Sequence, residues 1–425
     1  MASRSARAGA SVIGIAAVIA VGLSACSTSD PSTSSSGSTT ITVATDNPTP
    51  LKAAVAVFEK AHPDIAVKIQ DGGNDYQDFL RTGLAAGNAA DVIRTFPGSG
   101  NTAAVGPLAK AGSLVDLSGE SWVDQLSTTQ KTLFSSGGKV LSVPIGALGL
   151  GPIYDDQTLK AIGQKVPTTF SEVLDLCAAA KAHGKVAYTL FQKGGSVLPT
   201  YSMVAGLVYR SDPTFTTQQE AGTKSFADSG WVTAFSLQLQ MLKAGCFNDG
   251  PNGTDYNTSA TQIANGQAVA TFAFSDTSSL EQTSPKGTTF TIAPFPVDDS
   301  GKLALAVADS SGFGVNAASK NKAAAEQFVE FLASAPAQNA YATASNGAPS
   351  LPNDSFKAAS KNQETVLTYE KEGKTGPWPD QGWPGTATGQ ALDDVSQTLF
   401  LGTDTPKSAA QKMDAAFAKD LASAK

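Results

Sequence analysis

The chain has 425 residues, of which 41% are hydrophobic, and its 30 basic and 37 acidic side chains give a formal net charge of −7. That length exceeds one typical domain and can bury a large core, so two lobes are expected. No stretch is basic enough to bind a phosphate backbone, and the two histidines have no neighbours at metal-ligand spacing. The composition therefore predicts neither a nucleic-acid partner nor a metal site.

The first 25 residues have the pattern of a secretory signal. Two arginines and no acidic residue precede an apolar run that is too short to span a membrane, and small residues follow it. The stretch LSAC, which ends at Cys26, resembles the lipobox of bacterial lipoproteins, and this resemblance implies a lipid on that cysteine. The alternative is an ordinary secretory signal with a chance cysteine. Residues 26–40 are rich in serine and threonine and are predicted to be a flexible tether.

The rest of the sequence alternates between short apolar runs typical of strands and segments with helical periodicity. Predicted strands lie at 41–45, 65–69, 91–96, 139–146, 151–156 and 267–274. Predicted helices lie at 50–62, 76–86, 170–183, 230–245, 322–334, 387–400 and 406–422. Thr49 is the predicted N-cap of the first helix, and Thr169 with Glu172 fits a capping box. Three strands that alternate with two helices at the start predict a parallel α/β sheet.

Two cysteines remain if Cys26 carries a lipid. Cys177 and Cys246 each lie on or at the end of the apolar stripe of a predicted helix. In an oxidising compartment such cysteines commonly pair, so a disulfide between them is expected. Two buried free thiols are the alternative.

Catalytic signatures are missing from the sequence. Neither histidine has a motif neighbour, no G-x-S-x-G occurs, and the glycine-rich stretches lack the lysine of a P-loop. Acidic residues are plentiful, but nothing in the sequence distinguishes a carboxylate pair for glycoside hydrolysis. A binding protein without a cofactor is therefore favoured over an enzyme.

Six segments, in this order, resemble those of the extracellular solute-binding proteins of ABC importers, specifically the sugar-binding group that includes maltose-binding proteins. They are ITVATDN with LKAAVAVFEKAHPDIAVKI, FLRTGLAAGNAADVIRTF, GKVLSVPIGALGLGPIYDD, QTLKAIGQKVPTTFSEV, NGQAVATFAFSD and GFGVNAASKNKAAAEQFVEFL. The chain departs from the family pattern at Ala90, where proline is usual, and at Asp155, where asparagine is usual. The aromatic residue common after the buried strand is also absent, so the ligand is expected to differ from maltose.

The resemblance implies an α/β, two-lobe, type II periplasmic-binding-protein-like fold with the ligand cleft between the lobes. Residues 41–147 plus 312–350 would form lobe 1, and residues 148–311 plus 351–425 would form lobe 2. The chain would cross between the lobes near 144–149, 308–314 and 349–353.

The resemblance also implies a function and its partners. The chain would be a monomeric substrate-binding component that is lipid-anchored on the outer, extracytoplasmic face of the cytoplasmic membrane. It would bind a sugar or oligosaccharide and deliver it to the transmembrane subunits of an ABC permease. Alternatives with the same fold are a polyol, a polyamine or a glycerol phosphate as ligand, although the candidate loops hold few arginines for a phosphate. A surface hydrolase or an adhesin is a further alternative from another class.

Candidate ligand-binding residues follow from where strands end. Open α/β sheets bind ligands at the carboxyl ends of their strands. The predicted strands are followed by Asp46 and Asn47, by Phe96 through Asn101, and by Ser275 and Asp276; a loop with Asp75 and Tyr76 could reach the same rim. Carboxylates and amides bind sugar hydroxyls, and aromatic rings cover the apolar face of a sugar. Turn formation, capping or core packing is the alternative role of each.

The sequence TGPWPDQGWPG, residues 375–385, places two tryptophans in a proline-rich loop. Trp383 matches an aromatic residue that often faces the cleft just before the penultimate helix of the sugar-binding relatives. Trp378 is a second candidate platform, and Asp380 is a candidate partner for a hydroxyl. The alternative is a loop folded back on its own lobe. Trp122 and Trp231, at predicted helix starts, are expected to pack in the core.

Overall fold

The structure is a computed structural model that describes residues 38–193, 195–351 and 353–424. The predicted signal, Cys26 and most of the predicted tether lie outside these residues. The first strand begins at Thr39, two residues before its predicted start, so the end of the predicted tether pairs in the sheet. In the part of the chain that is described, no helix combines the length and apolar character needed to cross a bilayer.

Short runs of β-branched and apolar residues form the strands, as predicted. Within the described residues these are β1 Thr39–Thr45, β2 Ile65–Asp71, β3 Val92–Thr95, β4 Ser135–Ser136, β5 Lys139–Val140, β6 Val143–Asp155, β7 Val186–Thr189, β8 Ala268–Phe274, β9 Phe290–Ile292, β10 Leu305–Val315 and β11 Thr375–Gly376.

Helices alternate with these strands and cover the faces of the sheet. They are α1 Pro48–Ala61, α2 Tyr76–Ala85, α3 Val105–Lys110, α4 Thr128–Leu133, α5 Asp156–Ala161, α6 Phe170–Ala182, α7 Leu198–Val204, α8 Phe215–Glu220, α9 Gly230–Ala244, α10 Tyr256–Ala264, α11 Ser278–Thr283, α12 Lys322–Leu332, α13 Ala335–Ala344, α14 Lys361–Lys371, α15 Ala387–Phe400 and α16 Pro406–Ala424. The predicted capping box is confirmed, since Thr169 Oγ1 accepts from the Glu172 amide and the Glu172 carboxylate accepts from the Thr169 amide. The N-cap prediction for α1 was wrong: the cap is Asn47, because Pro48 already has helical geometry.

The sheet has the strand order β2-β1-β3-β10-β6-β8-β7. Strand β1 is parallel to both β2 and β3, which confirms the predicted parallel α/β start of the chain. Strand β10 then runs antiparallel to β3 and to β6. The sheet therefore continues from an N-terminal half into a second half through the long β6–β10 pair.

Strands β6 and β10 connect two separate hydrophobic cores. They pair antiparallel from Val143 opposite Phe313 to Leu150 opposite Ala306. Val143 and Phe313 pack in a core with Trp122, whereas Leu150 and Ala306 pack in a core with Trp231. The two tryptophans are buried, as predicted. Two strands that begin in one core and end in the other give the two-lobe architecture.

A glycine shapes one of the connecting strands. Gly146 has a φ of +74°, a conformation that favours glycine. A Cβ at this position would lie 2.6 Å from the ring of Tyr341, so a side chain would not fit. A third segment runs beside this point, where Ala147 bridges to Ala348.

A disulfide joins Cys177 on α6 to Cys246, which follows the end of α9, with 4.8 Å between the Cα atoms. Both cysteines are buried in the core that contains Trp231. The bond fastens two helices that pack on the same half of the sheet.

Candidate functional site

A cavity of about 150 Å³ lies where the two halves of the molecule meet. One side is formed by Phe96 and Asn101, in the loop after β3. The other side includes Phe274, Trp378 and Asp380, from the end of β8 and the turn before α15. The cavity therefore lies at the strand ends where an open α/β sheet binds its ligand.

Two aromatic rings form a wall of this cavity. The ring centroids of Phe274 and Trp378 are 4.9 Å apart, with 44° between their planes. Trp378 is 9% exposed, so only a small part of its surface reaches solvent. An aromatic wall beside polar groups suits a ligand with an apolar face and a hydroxyl edge.

Two larger cavities adjoin the first. One, of about 320 Å³, includes Phe191, Tyr256 and Asp276, and the other, of about 750 Å³, includes Asn101 and Asp394. Val197 lines all three cavities, so they are parts of one groove.

Two carboxyl groups in the groove have raised pKa values. Burial raises the pKa of Asp380 to about 6, and a hydrogen bond from the Tyr201 hydroxyl partly opposes this effect. Burial raises the pKa of Asp393 to about 7, and the charges of Asp394 and Asp380 act in the same direction. Hydroxyl or ammonium donors of a ligand would lower the free-energy cost of keeping these carboxylates charged.

Asp46 forms an ion pair with Arg94, a buried residue of β3. The Arg94 guanidinium also lies 4.7 Å from the centroid of the Phe96 ring. Ligand binding by Asp46 stays a prediction; in the structure its carboxylate pairs with a cation that lies against a cavity-lining ring. Sequence reasoning missed Arg94, although it lies in the predicted strand that Phe96 ends.

Asn47 and Asp276 were both predicted from strand ends, and the structure brings them together. The Asn47 side-chain amide donates a hydrogen bond of 2.9 Å to the Asp276 carboxylate. These residues follow β1 and β8, in different halves of the sheet. The bond therefore links the two sides of the groove.

Asn101 lies in the groove, but one of its polar atoms has a local partner. Its side-chain oxygen accepts a hydrogen bond from the Ala103 amide. Asn101 itself lines two of the cavities, and its side-chain nitrogen is the candidate group for a ligand contact. Asn101 is thus both a turn former and a candidate ligand contact.

Three other predicted residues are not placed to line the groove. Tyr76 is buried because its ring packs in the core of its own lobe, and its hydroxyl donates to the Arg94 carbonyl at 2.7 Å. Ser275 is buried and its hydroxyl accepts from the Gly149 amide at 3.1 Å. Asp75 is exposed and lines a separate cavity of about 740 Å³ with Phe79.

The structure places Trp383 elsewhere than the predicted cleft position. Its side chain is 1% exposed and lies in the core, where its ring centroid is 6.2 Å from that of Trp231 and 6.1 Å from that of Phe226. Burial of a large apolar ring is favourable, and the loop achieves it by folding back on its own lobe. The groove is lined instead by Trp378, the second candidate platform.

Several groove residues had not been singled out from the sequence. Phe274 is the last residue of a predicted strand, directly before Ser275, and strand alternation could have placed it at the rim. Tyr201 lies on α7, a short helix that the periodicity did not reveal. Asp393 lies on α15, in a segment predicted only as a helix.

A two-lobe α/β fold with a polar and aromatic groove between its halves defines a class of ligand-binding proteins. The chain belongs to the bacterial extracellular solute-binding protein family, whose model matches residues 42–339. This is a family of substrate-binding proteins.

Two relatives are named for the sugars that they bind. The multiple sugar-binding protein of Streptococcus mutans is 26% identical over 347 residues, which cover 78% of this chain and 79% of that protein. The melibiose/raffinose/stachyose-binding protein MelE of Bacillus subtilis is 24% identical over 198 residues, 45% of each chain.

Solved structures share the fold at low sequence identity. The GacH receptor of Streptomyces glaucescens superposes with a TM-score of 0.70 at 19% identity, covering 91% of this chain and 99% of that one. A family 1 solute-binding protein of Bifidobacterium longum subsp. infantis gives a TM-score of 0.66 at 21% identity, over 90% and 100% of the two chains. These likenesses establish the two-lobe fold.

Proposed function

We propose that this protein is the lipid-anchored substrate-binding component of an ABC importer for a sugar or oligosaccharide. The observation that carries the proposal is the groove between the lobes, in which the Phe274–Trp378 wall faces polar groups such as Asp380 and Asn101. Ring faces and hydroxyl acceptors are what a saccharide requires of its site. The assigned ligands of the two curated relatives are also sugars.

The lobes follow the division of the hydrophobic cores. Lobe 1 comprises residues 41–147 plus 312–350, and lobe 2 comprises residues 148–311 plus 351–425. The hydrophobic cores support this division: apart from Leu351, the core around Trp122 draws on the first set, and the core around Trp231 draws on the second.

Ligand binding would favour a closed arrangement of these lobes. A solute that contacts Phe96 and Trp378 at once interacts with both lobes, which is possible only when they are close. Such differential binding shifts the population toward the closed form. The closed protein would then present both lobes to the transmembrane subunits of the permease.

The family is extracellular, which implies a location outside the cytoplasm. A lipid on Cys26 would hold the monomeric protein at the outer face of the cytoplasmic membrane. Residues 38–424 would then be free to reach the permease from this anchor.

The acidic groove supports a second candidate, a solute that carries an amine. Asp276, Asp380, Asp393 and Asp394 line the three cavities, whereas Lys419 is the one cation among the described residues that line them. An ammonium group would neutralise Asp380 and Asp393, whose burial raises their pKa. A polyamine has the charge for this site but no sugar-like hydroxyl edge.

A thermal-shift panel tests the proposal. The panel contains raffinose, stachyose, a maltose series, a polyol, spermidine and glycerol phosphate. A ligand at about 100 times its Kd should add about 2.7 kcal/mol to the free energy of unfolding and so raise the melting temperature. A shift with one saccharide class supports the proposal. A shift with spermidine alone would favour the amine, and a shift with neither class would contradict both.

A further inference from the structure

Two loops from opposite lobes touch through their backbones. The loop after β3, with the sequence PGSGN at residues 97–101, lies against the 3₁₀ turn Pro379–Gly382 that separates Trp378 from Trp383. A Cβ added to Gly98 would lie 2.8 Å from the carbonyl carbon of Gln381, and one added to Gly100 would lie 2.9 Å from that of Asp380. The carbonyl oxygens are closer still, so a side chain at either glycine would collide.

The loops belong to different cores. Phe96, at the start of the first loop, packs with the buried residues of lobe 1, whereas Trp378 and Trp383 flank the turn and lie in the core around Trp231. The collision is therefore one between lobes. It would vanish if the lobes moved apart about β6 and β10.

Gly100 is the more informative of the two glycines. Gly98 has a φ of +72°, so it needs glycine for its own loop conformation as well. Gly100 is outside the left-handed region, and the three atoms nearest to an added Cβ all belong to Asp380. The backbone of the loop would tolerate a side chain at position 100, but the approach of the opposite lobe would not.

One further hydrogen bond crosses the groove, and another fixes the turn within its own lobe. The Asn47 amide donates to Asp276, and the Gln381 side chain donates to the Asp309 carbonyl of β10 at 2.8 Å. The turn is thus held to a connecting strand while its carbonyls face the glycines. A turn fixed in this way, opposite two glycines, makes a defined stop for a hinge motion.

We propose that Gly98 and Gly100 form, with the backbone of Asp380 and Gln381, the surface on which the two lobes close. Side-chain size at position 100 then sets how much of the protein reaches the closed form. The inference rests on the proposed function in one respect: closing matters because the closed form binds the solute. The contact itself exists without reference to any ligand.

The consequence for binding follows from population arithmetic. A valine at position 100 holds the loops apart and makes the closed form rarer. If the binding-competent fraction falls about tenfold, the apparent Kd rises about tenfold. The melting temperature of the ligand-free protein should remain near that of the wild type, because neither lobe core is altered.

Distance measurement between spin labels tests the proposal. Cysteines replace Lys60 on α1 and Lys243 on α9, both exposed, in a chain with Cys26→Ser so that only the introduced thiols react. Gly100→Val is compared with Gly119→Val, a glycine with no left-handed φ and no atom within 4 Å of an added Cβ. Distances between the two labels are recorded by double electron–electron resonance, without ligand and with excess raffinose.

In at least one condition, the wild type and the Gly119→Val variant should show a population at the label separation of this structure. Gly100→Val should lose about nine-tenths of that population. Equal distributions in the wild type and Gly100→Val would overturn the proposal. So would the absence of that separation from the wild type under both conditions. Failure of the proposed function is a different result, namely no thermal shift of the wild type with any saccharide.

Discussion

The side-chain amide of Asn47 donates a hydrogen bond of 2.9 Å to the carboxylate of Asp276, across the groove between the two lobes. Asn47 caps the helix after β1, and Asp276 follows β8, 229 residues later in the chain. A bond to a charged acceptor is stronger than one between neutral groups. This pair therefore contributes to holding the lobes in the arrangement seen here.

Replacing Asn47 with aspartate should weaken ligand binding. Two carboxylates would then face each other at hydrogen-bond distance, and their repulsion would favour separated lobes. We expect the Kd for the solute found in the thermal panel to rise about tenfold, a cost of about 1.4 kcal/mol. Calorimetry measures this change, and Asn74→Asp, at an exposed turn position, is the control for added charge. If Asn47→Asp and Asn74→Asp bind the solute with equal affinity, the Asn47–Asp276 bond does not contribute to closing.

Trp378→Ala should reduce affinity more than it reduces stability. The ring lines the cavity and contacts Phe274, so its removal takes away the surface against which a ligand packs. We expect a loss of about 2 kcal/mol in binding, roughly thirtyfold in Kd. Trp378→Phe should restore much of the affinity, because it restores an aromatic face. Unchanged binding in the alanine variant would remove Trp378 from the site.

Trp383→Ala should have the opposite profile. This ring is buried among Tyr201, Phe226 and Trp231, so its loss leaves a cavity in the lobe core. The expected cost is about 3–5 kcal/mol in the free energy of unfolding, measured in urea. A variant as stable as the wild type, but unable to bind, would restore the original interpretation of Trp383 as a ligand platform.

The disulfide between Cys177 and Cys246 should stabilise lobe 2. It closes a loop with a sequence separation of 69 residues, which restricts the unfolded chain. The double substitution to alanine should lower the free energy of unfolding by about 2–4 kcal/mol. Calorimetric unfolding measures the change, and the same protein under reducing conditions should unfold like the variant. A variant with wild-type stability would show that the bond contributes nothing to folding.

Stability should depend on pH through Asp393. Burial raises the pKa of its carboxyl from 3.8 to about 7, so the folded state binds this proton more tightly than the unfolded state does. The contribution of Asp393 to stability is therefore complete below its ordinary pKa and is lost as the pH rises through its folded pKa. Asp393→Asn should be more stable than the wild type near pH 8, with the difference shrinking toward about pH 4. Melting curves across this range test it, with Asp124→Asn at an exposed position as the matched substitution. A stability difference between Asp393→Asn and the wild type that does not change with pH would contradict it.

Much of the fold follows from local patterns. The alternation of apolar runs with helical periodicity predicted the parallel start of the sheet, and the capping box at Thr169 fixed the start of α6. Two predicted strands, 139–146 and 151–156, belong largely to the single strand β6, which is buried along its whole length. The glycines between them made one continuous strand look like two. Short helices such as α7 were missed since six or seven residues carry too little periodicity.

The site was harder to predict because side-chain direction is a tertiary property. Trp378 and Trp383 flank one 3₁₀ turn, and nothing in the loop sequence says which ring faces the groove and which the core. Tyr76 and Asp46 show the same limit. Tyr76 was expected from a loop that could reach the rim and Asp46 from a strand end, but Tyr76 packs in a core and Asp46 pairs with Arg94. The pairing of Asn47 with Asp276 shows that the strand-end rule still locates the groove.

A crystal structure with the solute selected by the thermal panel tests the central claim most directly. We predict saccharide density in the groove, with one ring against Trp378 and Phe274 and hydroxyls within hydrogen-bond distance of Asp380 or Asn101. Contacts from both lobes should be present in the same complex. Density for a non-sugar solute, or a saccharide bound outside the groove that Val197 lines, would contradict the account.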